Sequence, residues 1–249
     1  MKAPRFHRFD RVERAVHWCN AALFLTLVFT GAALYAGPVS TWVAHRHAVK
    51  TIHVYAGLLL PVPLLIGLMI PGGRELRRDL GRLNRWSSDD RRWWSRRRRA
   101  SVQLGKFNPG QKLNAVFVGA AIVVMLMTGS IMRWPNSFRD SWRTGATFVH
   151  DWTFLALVAV IVGHIAFALS DPDSLRSMIR GWVPESWARR ERPVWWAEET
   201  AAAASADAGG DVAAGGDERL REPRAGAREV AVGDAVDGSV ADRIGGGEL

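Results

Sequence analysis

A chain of 249 residues, 48% hydrophobic, with 33 Lys and Arg against 24 Asp and Glu and one cysteine, has room for one or two domains. The single Cys19 excludes an intrachain disulfide framework, a CxxCH haem attachment, and an iron–sulfur or cysteine-rich zinc site built from this chain alone. Charge is unevenly placed: residues 198–249 hold 12 acidic and 5 basic residues, so the rest of the chain carries +16 against +9 for the whole, along with all 12 Trp. That division excludes an evenly mixed soluble globule.

Four runs approach the ~20 residues that cross a bilayer as helix. They are 18–36, 51–70, 113–132 and 148–169, and none contains Lys or Arg. The first is too long, and lacks the small-x-small site, for a cleavable signal peptide. Pro61 and Pro63 fall inside the second, a position that packed membrane helices tolerate. Gly31, Gly57, Gly67, Gly119, Gly129 and Gly163 recur through the runs, as close helix approach in lipid favours. The flanking basic residues alternate: five Lys or Arg in 1–16, two in 37–50, thirteen in 71–112 and three in 133–147. Lys and Arg collect on the cytoplasmic side, so both termini are expected there, with four crossings of the cell membrane between them. The basic excess is then topological and not a nucleic-acid surface. The arginines at 96–99 can touch anionic lipid, and Trp93 and Trp94 read as interfacial anchors.

After Trp196 there is no aromatic residue, and Ala, Gly and charged residues dominate. Such a segment buries too little apolar area to offset its chain entropy. The expected architecture is an all-α membrane protein: a four-helix transmembrane bundle over 1–197, then a disordered cytoplasmic tail over 198–249.

Four of the seven histidines lie in or at the edge of the runs. Imidazole is costly in hydrocarbon without a partner. Taken singly, each is accounted for by a hydrogen bond to a neighbouring helix. As a set they are ordered. His150 and His164 are 14 residues apart on the fourth run, about 3.9 turns and ~21 Å, so they share a face at opposite depths. His17 stands at the inner edge of the first run. His53 is in the first turn of the second, which starts outside. Depth therefore pairs His17 with His164 near the inner face and His53 with His150 near the outer face. Two axial nitrogens from facing helices at each of two levels are what two b-type haems require. Zinc would ask for four ligands, and Asp151 and Cys19 stand alone. His47 rivals His53 for the outer place, His45 is too far out, and His7 precedes the first helix on the surface. The competing class is a haem-free membrane anchor or small transporter whose histidines line a polar path.

Several segments carry a likeness: RVERAVHW at 11–18, TG at 30–31, IH at 52–53, GKFNPGQK at 105–112, the paired histidines of the fourth run, and MIRGWVPESWARRERPVWW at 178–196. In these, from about Phe9 to Trp196, the chain resembles the gamma subunit of membrane-bound respiratory formate dehydrogenase, a four-helix dihaem cytochrome b that reduces quinone. The resemblance implies that His17 and His164 ligate the inner haem and His53 and His150 the outer one. It implies a quinone site on the cytoplasmic side, for menaquinone or ubiquinone, with Asn108 and Gln111 contributing. The residues alone read more simply there, as an Asn-Pro-Gly turn capping the third helix. The implied partners are an iron–sulfur subunit and a molybdopterin catalytic subunit. This chain would be the electron-transfer and quinone-reducing part of that oxidoreductase and would not itself oxidise formate. The chain departs from the pattern in RRERPVWW, in Ile165 and Ala166 where a Tyr is common, in Asp151, and in its strongly basic inner loop. These departures bear on formate as donor. The cytochrome b of another dehydrogenase or of a hydrogenase shares the architecture.

Overall fold

The computed structural model describes residues 4–35, 46–95 and 102–219, with side chains through residue 206. His45, the arginines at 96–99 and the tail from residue 220 onward lie outside the described residues.

Among the described residues, four helices are long and apolar enough to cross a membrane. The first is α1 (Arg11–Tyr35). Asp10 and Glu13 start it by capping each other: Glu13 N donates to Asp10 Oδ1 (2.7 Å) and Asp10 N to Glu13 Oε2 (2.8 Å), which satisfies two of the amides a helix start leaves without partners. The second span is α2 (Arg46–Leu59) followed by α3 (Val62–Met69). Pro61 and Pro63 offer no N–H, and the ladder gives way for one turn before Leu65 N resumes it on Pro61 O at 3.1 Å. The third span is α6 (Pro109–Arg133) and the fourth α7 (Asp140–Leu169), joined through a short turn at Pro135–Ser137.

The first span packs on the second and the third on the fourth, forming two antiparallel hairpins. Further contacts join α2 to α6 and α1 to α7. Large apolar side chains point outward, such as Phe29 at 71% and Met69 at 84% exposure. For helices in lipid that is the solvated state, because bilayer hydrocarbon takes the place of a hydrophobic core.

The apolar core lies elsewhere, in a cap at the end of the bundle that carries both His17 and His164. Its parts are β1 (Arg5–His7), α4 (Arg74–Leu83), α5 (Ser88–Trp93), α8 (Pro172–Arg180), β2 (Trp182–Pro184), α9 (Glu185–Glu191) and, as far as Ala202, the start of α10 (Pro193–Arg219). The strands pair antiparallel with Phe6 opposite Val183, a small departure from the all-helical expectation. Val183, Trp187, Ala188 and Trp195 are buried there, and Phe6 meets Trp195 edge-on at 5.0 Å. Gly181 makes the join possible. It ends α8 at φ 87°, and its carbonyl accepts from Arg8 N and Phe9 N at 2.8 and 3.2 Å. A Cβ there would lie 2.8 Å from Phe9 O, so only glycine fits.

Residues Met1–Ala202 form one compact unit. The backbone of α10 stays helical to Arg219, past residue 198, where loss of structure was expected. Two physical causes are visible. The alanine run at 201–204 favours helix, and Glu198 and Glu199 in the preceding turn pair with Arg82.

Candidate functional site

The two imidazole couples expected from depth are brought together. The His17 and His164 rings have centroids 6.3 Å apart at the cap end, and His53 and His150 have the same 6.3 Å at the far end. Two imidazoles holding one metal from opposite sides, with metal–nitrogen bonds near 2 Å, have centroids about 6 Å apart. The spacing therefore suits a shared axial metal; rings in stacking contact would sit closer. Among the described residues no group of three His, Cys, Asp or Glu converges as a metal site, so each couple offers two ligands, as a porphyrin iron asks. His47 is exposed in the first turn of α2 and takes no part. His7 is exposed in β1.

The far-end couple is held by a device that both hairpins repeat. Thr30 on α1 lies 2.8 Å from His53 Nδ1, and Thr128 on α6 lies 2.9 Å from His150 Nδ1. Each hydroxyl hydrogen is already given to its own helix, Thr30 to Thr26 O at 2.6 Å and Thr128 to Val124 O at 2.8 Å. The hydroxyl oxygen can then only accept, so Nδ1 carries the proton and Nε2 presents its lone pair. This orients an imidazole for metal ligation. The residue after each threonine is glycine. A Cβ on Gly31 would stand 3.4 Å from His53 Cε1, and one on Gly129 3.6 Å from His150 Cε1. At each glycine the helix backbone thus lies close against the ring, near enough for an added Cβ to make van der Waals contact with it. Reading the sequence singled out TG at 30–31 but gave Thr30 no role, and it passed over its twin at 128–129. The repetition of the dipeptide was the available signal.

At the cap end no side-chain hydrogen bond to His17 or His164 is found among the described residues. Trp18 packs edge-on to His17 at 5.3 Å and donates from its indole to Met178 O at 3.0 Å. Asn108 and Gln111 form a reciprocal cap on α6: Gln111 N donates to Asn108 Oδ1 and Asn108 N to Gln111 Oε1, both at 2.9 Å. The plain reading of these residues is therefore realised, with Asn108 buried. The caps occupy the amide oxygens and leave the amide nitrogens as donors. Arg8 is buried behind this turn. It donates to Ser174 Oγ at 2.9 Å and to Lys106 O at 3.4 Å and lies over the Trp187 ring at 4.8 Å. Burial, and then repulsion from Arg192, lower its pKa to about 9, which still leaves it charged at neutral pH.

The chain is similar to known cytochrome b proteins. The model of a family described as prokaryotic cytochrome b561 matches residues 8–181. A formate dehydrogenase cytochrome b556 subunit from Haemophilus influenzae is 26% identical over 205 residues, covering 78% of this chain and 84% of the relative. The cytochrome b556(fdo) subunit of Escherichia coli formate dehydrogenase is 26% identical over 205 residues, 77% of this chain and 92% of the relative. The nitrate-inducible cytochrome b556(Fdn) subunit of that species is 22% identical over 211 residues, 79% and 93% of the two chains.

Proposed function

The chain belongs to the prokaryotic cytochrome b561 family, and from that premise we propose that it is the membrane cytochrome b subunit of a formate dehydrogenase, carrying electrons through two b haems to quinone. Membership in a cytochrome family sets aside the haem-free anchor or transporter. The observation that carries the reading is the matched spacing of two imidazole couples at opposite ends of one bundle. His53 and His150 would hold one haem and His17 and His164 the other. Two such haems, when bound, accept and release single electrons and leave no open iron position for oxygen.

The Lys and Arg distribution supports a cytoplasmic cap, which makes the far end the outer one. Electrons would then enter at His53 and His150 from an iron–sulfur partner and leave at His17 and His164. Formate oxidation would belong to a separate catalytic subunit, since the relatives are named as cytochrome subunits of formate dehydrogenase, and the resemblance of the sequence implies that this subunit carries molybdopterin. Menaquinone or ubiquinone would be reduced at the cap end, with the amide nitrogens of Asn108 and Gln111 donating to a quinone carbonyl. Taking protons from the cytoplasm while electrons travel inward would charge the membrane.

The test is purification of the intact complex from membranes, with its subunits identified. Formate should reduce the b-type absorbance bands, and added quinone should reoxidise them. If the bands stay oxidised with formate and respond to hydrogen, the donor belongs to a hydrogenase. Absence of b-type bands would overturn the whole reading.

A further inference from the structure

Glu13 lies four residues before His17 on α1, about 6 Å along the axis and on the same face. It is buried, and so are Asp79 and Lys106. Glu13 Oε1 is 3.6 Å from Lys106 Nζ, and the same ammonium pairs with Asp79 Oδ2. Two carboxylates thus share one ammonium, all three groups almost wholly shielded from bulk solvent. The line continues outward. Asp79 Oδ1 accepts from Arg82 Nη1 at 3.1 Å, Arg82 pairs with Glu199, and Glu199 reaches Arg78 at 3.4 Å on the surface. A cavity of about 310 Å³ runs beside it, with Glu13, Lys106, Arg82 and Glu199 in its wall. It is polar and roomy enough for water.

Capping alone does not explain this cluster. A glutamine at position 13 would complete the box with Asp10 equally well. Burying charges is costly unless they are well compensated, and the two carboxylates are compensated unequally. Asp79 meets both Lys106 and Arg82, whereas Glu13 has only Lys106, at 3.6 Å. Glu13 is therefore the member best placed to take up and release a proton, a turn from the cap-end imidazole. Lys106 also sits two residues before Asn108, which joins the trio to the amides assigned to quinone. Other charges facing Glu13 are few: Asp10 and Arg14 on its own element, and His7, Arg8 and Glu75 across the cavity.

We propose that Glu13 is the proton carrier of the cap-end site, filled from the cap surface by water in the cavity that runs beside Glu199, Arg82 and Lys106. This rests on the proposed quinone-reducing function. Each quinone reduced takes two electrons, arriving through the haem site, and two protons. Glu13 takes up a proton as negative charge arrives beside it. Its carboxyl O–H breaks as a quinone O–H forms, and the carboxylate is refilled from the cap side.

The test is redox titration of both haem sites in the intact complex over a pH series. The cap-end potential should fall with rising pH, toward a limit of tenfold in the equilibrium per pH unit, which is about 59 mV for one electron. The far-end potential serves as the control. Glu13→Gln keeps the helix cap and should flatten the cap-end slope. It should also slow quinone reduction by about 100-fold, the low end for loss of a general acid, while electrons still reach the cap-end haem. Asp79→Asn leaves Glu13 paired one-to-one with Lys106 and should flatten the slope as well, which covers the case of a Glu13 variant that fails to assemble. A slope that survives both substitutions, or a flat slope in a wild type holding both haems, overturns the proposal and leaves the cytochrome reading intact. A wild type without haem overturns the cytochrome reading itself.

Discussion

His53 with His150 and His17 with His164 stand at one spacing, 6.3 Å between ring centroids, in unlike surroundings. The far-end rings lie among apolar helices, each fixed by a threonine hydroxyl from the neighbouring span. The cap-end rings lie under a folded cap, one turn from buried ions and beside the turn that carries Asn108. The difference teaches how one bundle can divide its labour. An end poor in titratable groups suits electron entry alone, where the threonine hydroxyls fix the imidazole tautomers. An end lined with titratable groups suits the place where electrons meet protons.

That contrast can be broken by substitution. Replacing both Thr30 and Thr128 with valine removes the acceptors at Nδ1 and leaves two half-buried donors without these partners. Loss of such outer-shell contacts costs about 10–100-fold in metal affinity. The expected result is weakened haem at the far end alone, seen as partial loss of one b-type component in spectra, with serine at both positions restoring it. Equal loss at both ends would erase the distinction. Asn108→Ala tests the cap end. It removes one helix cap, roughly 1 kcal/mol, together with the proposed hydrogen bond to quinone. Quinone reduction should fall about 10-fold if that bond is worth about 1.4 kcal/mol, at the upper end of the usual range, with haem content unchanged; undiminished quinone turnover would remove Asn108 from the site. The smallest effect is on the join between cap and bundle. Gly181→Ala forces a Cβ onto Phe9 O at φ 87° and should lower stability by about 1–2 kcal/mol, read as an earlier thermal transition in detergent with both haems bound.

The spans were legible because an unbroken apolar run of bilayer length has few alternatives, and the 14-residue interval between His150 and His164 fixed their common face. Pro61 and Pro63 marked the one interruption of the second span. The cap was not legible as a folded body. Its strand pair joins residues 5–7 to 182–184, and no local pattern announces a contact across that separation. The Glu13–Lys106–Asp79 trio failed to appear for the same reason, since its members come from three distant segments. Asn108 and Gln111 show the reverse: the local signal for a helix cap was clear, and the cap is what those residues form. The helix α10 runs past residue 198, where helix propensity and ion pairs with Arg82 act without a packed core.

Haem content of the purified protein and its histidine variants tests the centre of this picture most directly. Wild type should hold two b-type haems per chain with low-spin, bis-imidazole spectra. His53→Ala and His17→Ala should each hold one, the first keeping the cap-end haem and the second the far-end haem. A wild type with fewer than two haems, or variants that keep both, would contradict the pairing of these four imidazoles around two irons.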